Sequence, residues 1–289
     1  MSLPLLVIVG PTASGKTALA VRIAKQFNGE IISADSRAIY KGLDIGTAKP
    51  SMQERDGVPH WGIDLVTPGQ RFTTVDFKKY ATKKINEIRL RGRLPILVGG
   101  TGLYVDTVIY DFTFPKTNDR LKRFVDNMTL QELYKYCNEH NISLPENNKN
   151  KRYVINAILR DGQPQKRRVK PIDNTIVVGI ATEKEILRER ITARAEEIVA
   201  DCTISEAQIV ADKYGWDNEA MTGNIYPLIH HYLEGNLTME ELKSQFCVLD
   251  WRLAKRQLTW LRRNSDIWWG SNDEVYTYVA RQLAKMNNS

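Results

Sequence analysis

Three short stretches of this 289-residue chain carry side chains able to do chemistry. The first is Gly10-Pro-Thr-Ala-Ser-Gly-Lys-Thr17. A glycine loop of this spacing, between an apolar run and a helix-like run, turns backbone N–H groups toward an anion at a helix N-terminus. Gly10, Pro11, Thr12, Ala13, Ser14 and Gly15 form the cradle. Lys16 reaches the outer oxygens, and the Thr17 hydroxyl can join a Mg²⁺ shell. A diphosphate-bearing ligand is expected, although the loop alone does not say which one. The second stretch is Ile32-Ser-Ala-Asp-Ser36. Asp35 ends a second apolar run on the same sheet edge as the loop, where its carboxylate could bind a metal, receive a proton or merely cap the next helix. The third is Gly99-Gly-Thr-Gly102, which ends the run 94–98. Phosphoryl-transfer sites of this kind usually carry an aspartate there to hold Mg²⁺, so its absence disfavours a kinase or nucleotide hydrolase. Thr101 either orients reacting groups or caps the helix after the glycines.

The elements that must position these residues read as α/β. Strand 5–9 leads into helix 15–27, strand 30–33 follows, a helix is expected over 74–91, strand 94–98 comes next, and a helix opens at 103–110. Alternation of this kind predicts a P-loop parallel-sheet core with helices on both faces, with ligands bound beyond the carboxyl ends of the strands. Residues 113–170 differ: they are polar and helical, with a loop at 141–150, a helix at 151–160 and a basic loop at 161–168. They read as a small helical insertion. Strand 175–180 and a helix over 183–200 resume the core. The remainder reads as helical, with a turn at Tyr214-Gly215 and helices near 225–234 and 238–263. The core is thus expected from 1–112 and 171–289.

Composition bounds the rest. Hydrophobic residues make up 42% and charged residues 26%, ordinary for a globular protein. No apolar run approaches the roughly 20 residues that a membrane helix needs, and no signal segment is visible, so the expected location is the cytoplasm, without a membrane partner. Cys137, Cys202 and Cys247 are far apart and lack zinc spacing. His230-His231 reads as a helix-surface pair rather than a metal site. The net charge is +7, and the basic residues gather at 149–152, 166–170 and 252–263. The last segment interleaves Trp251 and Trp260 with cations, a pattern that suits RNA phosphates and bases. It equally suits a solvated amphipathic helix with Leu253, Leu258 and Leu261 facing a core.

The three stretches, together with Ile39-Tyr-Lys-Gly-Leu-Asp-Ile-Gly-Thr-Ala-Lys-Pro50, Val98-Gly-Gly-Thr-Gly-Leu-Tyr104 and Ala254-Lys-Arg-Gln-Leu-Thr-Trp260, resemble the tRNA isopentenyltransferase family over nearly the whole chain. That resemblance implies transfer of a dimethylallyl group from its diphosphate to N6 of adenosine 37, beside the tRNA anticodon, with Mg²⁺ and release of pyrophosphate. It implies that Gly10–Thr17 hold the diphosphate, that Thr17 contributes to the metal, and that Asp35 is the base. Thr101 would orient the reacting groups, and Ser36, Arg37 and Ala38 would line the adenine pocket. The region of Trp251, Arg252, Lys255, Arg256, Gln257 and Leu258 would contact tRNA, with Gln257 able to read a base edge. The insertion would grip the anticodon stem, and the enzyme is expected to be a monomer.

Three departures from the family pattern lie on the RNA side. A paired-arginine stretch is replaced by Tyr153-Val-Ile-Asn-Ala-Ile-Leu159, where Arg152 and Asn156 are the polar candidates. A Gly-Tyr-basic-Glu segment appears as Ile225-Tyr-Pro-Leu228. Trp251 stands where the family has arginine, with Arg252 adjacent. Transfer to a free adenine nucleotide and a catalytically inactive RNA-binding homologue are the alternatives. The basic C-terminal helix and the insertion disfavour the former, and intact Lys16, Thr17 and Asp35 disfavour the latter.

Overall fold

The computed structural model of the chain describes residues 3–114, 118–163 and 166–287. Pro115, Pro164 and Gln165, which the sequence places in loops of the insertion, lie outside them. The described chain forms two compact units, one of residues 1–109 with 170–289 and one of residues 110–169.

The larger unit begins with β1 (Leu5–Val9), α1 (Lys16–Gln26), β2 (Gly29–Ser33), α2 (Met52–Arg55), β3 (His60–Trp61), α3 (Thr74–Leu90), β4 (Leu94–Gly99) and α4 (Gly102–Ile109). The smaller unit holds α5 (Asp119–Asp126), α6 (Leu130–Glu139) and α7 (Lys151–Leu159). The larger unit resumes with β5 (Thr175–Ile180), α8 (Lys184–Ile198), α9 (Asp201–Tyr214), a 3₁₀ turn at Glu219–Thr222, α10 (Ile225–Leu233), α11 (Met239–Leu261), β6 (Trp268–Gly270) and α12 (Asn272–Asn287).

The six strands form one parallel sheet in the order β3-β2-β4-β1-β5-β6. Its central strands are apolar runs because parallel strands are covered on both faces. Leu6 and Ile8 of β1, with Ile96, Val98, Ile176 and Val178, pack on one face against Leu19, Ala20 and Ile23 of α1 and Val275 and Val279 of α12. Side chains alternate along a strand, so Val7 and Leu97 point to the other face, where α3 and α4 pack against β4. Helix α3 starts where the sequence predicts, in a capping box of Thr73 and Asp76. A second core is wholly helical. There Ile39, Tyr40 and Leu43 pack among Val210, Tyr226, Ile229, Leu242 and Phe246 from α9, α10 and α11, which anchors the segment following Asp35.

The expectation that everything after β5 is helical is corrected at β6. Its three residues fall below any length at which period-2 patterning is legible. The strand pairs in parallel with β5, with Trp269 opposite Gly179, where an added Cβ would come within 2.6 Å of the Trp269 ring. Strand β3, only two residues long, is also absent from the sequence reading.

The smaller unit has its own core of Val125, Leu133, Cys137, Val154, Ile155 and Ile158. Arg152 and Asn156 lie four residues apart on the exposed side of α7, as helical periodicity requires. The run 166–170 is exposed, with Arg167 over the Tyr110 and Phe112 rings at 5.7 and 5.6 Å.

Candidate active site

Strands β1, β2 and β4 are neighbours, so their carboxyl ends bring the three chemistry-bearing stretches together at one cleft of about 910 Å³. It is lined by Lys16, Thr17, Asp35, Arg37, Thr101 and Arg256, among others.

The loop after β1 is held in its anion-facing form by backbone conformation. Ala13 and Gly15 both have left-handed φ, 61° and 84°, which produces the alternation that turns successive N–H groups inward. Glycine is required at 15 for that reason. Lys16 donates from Nζ to the Pro11 carbonyl at 3.0 Å. Burial pushes its ammonium down from the ordinary 10.5 to about 8, the Asp35 carboxylate opposing the shift and Arg194 adding to it. Among the described residues the buried Oγ of Ser14 and Nε of Arg194 have no hydrogen-bond partner, and a buried polar group left unpaired is costly unless a ligand completes it.

Among the described residues Asp35 bonds through one carboxylate oxygen and leaves the other uncommitted. Oδ1 accepts from the backbone N–H of Arg37 at 2.8 Å and of Ala38 at 3.4 Å. These bonds close the turn over 36–39 rather than cap a helix, and the side chain lines the cleft. Thr101 opens α4 with its carbonyl, which accepts from the Tyr104 and Val105 N–H groups at 2.9 and 3.2 Å. Its hydroxyl accepts from Ser36 N–H at 3.1 Å and lies 3.4 Å from Ser36 Oγ, as a donor to it, tying the end of β4 to the Asp35 turn. The close approach needs glycine: a Cβ at Gly99 would lie 2.2 Å from the Ala34 carbonyl oxygen. Arg37 is fixed by its Nη1, which donates to the Glu219 carbonyl at 2.8 Å and the Thr222 hydroxyl at 2.9 Å.

Helix α11 is only partly as expected. Arg252, Lys255 and Arg256 are exposed. Trp251 and Leu258, expected to meet tRNA, are partly buried and pack, as the P-loop Ala13 does, against Leu187, Ile191 and Ala254. The a/d-like spacing of 251, 254 and 258 turns them toward α8. Gln257, expected to read a base edge, also meets the P-loop. Its Oε1 accepts from the Thr12 N–H at 2.8 Å. Trp260 donates from Nε1 to Asp106 at 2.8 Å.

The sequence reading missed three contributors. Arg194 bonds the Thr12 hydroxyl through Nη1, and Arg190 lies 3.5 Å from the Ser14 carbonyl. Their spacing of four on α8 was the available signal, since it sets two cations on one helix face. Glu206 accepts from the backbone N–H groups of Asp44, Ile45 and Gly46 at 2.6, 2.7 and 3.0 Å, and from Tyr226 Oη at 3.0 Å. With Lys49, whose ammonium bonds Asp44 at 2.7 Å, it shapes the loop bearing Gly46–Pro50. No local pattern reveals a pairing 160 residues apart.

Arg194→Ala removes a charged hydrogen bond at the diphosphate cradle, an interaction typically contributing about 1.5–3 kcal/mol. The KM for a diphosphate substrate should rise about 10- to 100-fold. A KM within about twofold of wild type would place Arg194 outside the cradle.

A P-loop on a parallel sheet, with a carboxylate and a glycine turn in place of the second acid, defines a class of diphosphate-handling transferase. Comparison with known proteins places the chain within that class. The IPP transferase family model matches residues 38–264 and the isopentenyl transferase model residues 3–61. The tRNA dimethylallyltransferase of Halalkalibacterium halodurans is 37% identical, covering 96% of this chain and 97% of its own. That of Bacillus subtilis is 34% identical over 97% and 98%. Among solved structures, the tRNA isopentenylpyrophosphate transferase of Bacillus halodurans aligns with a TM-score of 0.76 at 35% identity, covering 99% and 98% of the two chains. A eukaryotic dimethylallyltransferase acting on tRNA shares the fold, with a TM-score of 0.77 at 21% identity, over 94% of this chain and 74% of its own. The chain belongs to the IPP transferase family.

Proposed function

We propose that this protein transfers the dimethylallyl group of dimethylallyl diphosphate to N6 of adenosine 37 in tRNA. The observation that carries the reading is a single cleft holding an incomplete anion cradle at Lys16 and a half-committed carboxylate at Asp35. The two halves suit a leaving diphosphate and an amine acceptor.

The C1–O bond to the diphosphate breaks as the N6–C1 bond forms. Negative charge grows on the departing pyrophosphate. The P-loop N–H groups and Lys16, already oriented, stabilise it without reorganisation. Adenine N6 is a weak nucleophile because its lone pair is delocalised into the ring. Oδ2 of Asp35 accepts the N6 proton as the bond forms, raising nucleophilicity at the moment it is needed, while Oδ1 keeps the carboxylate oriented through Arg37 and Ala38 N–H. Thr101 holds that turn against β4.

Mg²⁺ suits this donor set. Among the described residues no cluster of three or more His, Cys, Asp or Glu side chains could hold a metal, and Mg²⁺ typically relies on substrate phosphates and water rather than a protein cage. The Thr17 hydroxyl, in the cleft beside Lys16, would hold it with the diphosphate oxygens. When bound, the ion offsets charge on the leaving group.

The target base must leave the anticodon-loop stack, at a cost of a few kcal/mol. Exposed Arg252, Lys255 and Arg256 on α11 suit phosphate contacts with the anticodon stem-loop. Within the smaller unit, exposed Arg152, Asn156 and the 166–169 run suit backbone and shape recognition of RNA. We read the enzyme as a monomer, and a tRNA substrate fits a cytoplasmic location. Among the described residues no helix is long and apolar enough to cross a membrane.

The test is incubation with labelled dimethylallyl diphosphate, Mg²⁺ and either unmodified tRNA or AMP, then digestion and identification of the labelled nucleoside. Label is expected on N6 of adenosine 37. Label on AMP alone would show a free-nucleotide enzyme, and label on neither a non-catalytic RNA binder.

A further inference from the structure

The cleft holds a further carboxylate that the transfer chemistry does not use. Asp250 is 4% exposed, and its side chain lines the cleft. It belongs to the cleft-facing stripe of α11, where Phe246, Asp250, Leu253 and Gln257 recur at helical spacing. Its Oδ1 accepts from Asn224 Nδ2 at 2.9 Å. Among the described residues no other group bonds it and no cation pairs with it. A buried carboxylate is costly unless it is paired and its lone pairs are filled, so one neutral amide leaves Oδ2 in want of a donor. Asn224 lines the same cleft, and among the described residues its own Oδ1 is a second open acceptor. Two residues earlier, the Thr222 hydroxyl takes Arg37 Nη1 at 2.9 Å, which ties the pair to the turn that carries Asp35. Two stretches that depart from the family pattern meet here. Asn224 precedes Ile225–Leu228, where Pro227 stands at the basic position, and Asp250 precedes Trp251, which stands in place of arginine. Between those two positions this chain presents oxygen acceptors.

We infer that Asp250, with Asn224, reads the exocyclic amine of a nucleobase that flanks adenosine 37 in the acceptor RNA. This rests on the tRNA reading above. A carboxylate repels phosphate, so this part of the wall takes a base rather than the backbone. Unstacked bases of a single-stranded loop are recognised by hydrogen bonds to their edges, and Asp or Glu accepts from an exocyclic amine. The two N–H bonds of such an amine can meet Asp250 Oδ2 and Asn224 Oδ1 together. Adenine, cytosine and guanine carry one. Uracil carries a single N–H between two carbonyls, which would face these acceptors. A site built to bond an amine rejects a base that lacks it, because its buried acceptors are then left unpaired. Asp35 would thus handle the reacting amine, and Asp250 would discriminate the neighbouring base.

The experiment measures kcat/KM for transfer from dimethylallyl diphosphate to anticodon stem-loop RNAs that keep adenosine 37 and vary each flanking nucleotide in turn. Each flank carries adenosine, purine riboside, which lacks only the amine, or uridine. At one flank the wild type should prefer adenosine over purine riboside by about tenfold or more, within the range of a good side-chain–base pair. Asp250→Asn keeps the shape and an oxygen for Asn224 Nδ2, and turns an NH₂ group toward the base. Its preference should fall below about twofold, or invert toward purine riboside and uridine, which offer acceptors. Binding of inorganic pyrophosphate with Mg²⁺, read by calorimetry, should stay within about threefold of wild type, as for a site apart from the cradle. A merely structural role would lower transfer to every RNA alike and leave the preference unchanged. A wild-type preference below about twofold at both flanks, or an unchanged preference in Asp250→Asn, overturns the inference and leaves the transferase reading standing. No transfer by the wild type to any stem-loop or to full-length unmodified tRNA sinks the transferase reading and the inference with it.

Discussion

Asp35→Asn is expected to lower transfer by about 10²- to 10⁴-fold, the range a positioned general base contributes, while diphosphate and RNA affinities stay within about threefold. The substitution separates the two roles that the structure gives this side chain. The asparagine carbonyl oxygen can occupy the Oδ1 position and keep the N–H groups of Arg37 and Ala38, which lie 2.8 and 3.4 Å from it. Only the uncommitted oxygen is lost, replaced by an NH₂ group that cannot take a proton. The fold and the turn should therefore survive, and the melting temperature should be close to wild type. Asp35→Ala removes both roles and should also loosen the turn. A second readout comes from Lys16. The Asp35 carboxylate holds that ammonium up against desolvation. In Asp35→Asn the pH above which diphosphate affinity falls should therefore move downward. Transfer within tenfold of wild type in Asp35→Asn would reduce Asp35 to a cap for its turn.

The parts of this site that were legible in the sequence are those where local pattern and geometry coincide. Gly10–Thr17 encodes its own conformation, since the loop's left-handed positions and the helix that follows are contiguous. Asp35 and Gly99–Gly102 were legible because parallel strands deliver their carboxyl ends to one edge whatever the connections between them do. Helix α3 was legible from its capping residues. What local pattern does not carry is pairing across the chain. Arg194 reaches Thr12 across 182 residues, and Gln257 reaches it across 245. Glu206 fills a cup of N–H groups 160 to 162 residues away. The type and spacing of these residues match any solvated helix face. Trp251 and Leu258 show how one pattern carries two readings. Aromatic and basic residues interleaved on one helix satisfy an RNA pattern and an amphipathic pattern equally, and only the packing of α11 on α8 decides which of them face inward. The smaller unit was legible as helical and polar, and its exposed cations remain where an RNA backbone could meet them.

Lys16→Met is expected to weaken diphosphate binding by about 10²-fold or more and, at the same time, to stabilise the empty protein. The first effect follows from the loss of the one ammonium in the cradle, since charge-assisted bonds in a half-buried site are among the stronger ones. The second follows from linkage. Lys16 titrates near 8 in the folded chain and near 10.5 when unfolded. Between those values the unfolded state binds more protons, so stability rises with pH across that window. The destabilising contribution of the charged lysine is fully present below pH 8 and gone above about 10.5. With allowance for its partial solvent access, it is of order 1 kcal/mol, or about 2–4 °C in melting temperature for a protein of this size. Lys16→Met should thus melt higher than wild type at pH 7, and the difference should close as pH approaches 10.5. The same titration governs binding. Below pH 8 the wild-type ammonium is charged and affinity for the diphosphate analogue is flat with respect to this group. Above pH 8 the empty site has lost its proton and must take one up to bind the anion, so affinity should fall by up to about tenfold per pH unit. Calorimetry at pH 9 in buffers of different ionisation enthalpy should register close to one proton taken up in wild type and none in Lys16→Met. A lower melting temperature at pH 7, or equal proton uptake in both proteins, would show that the ammonium is already satisfied by its own fold. The charge would then not be held in reserve for the leaving group.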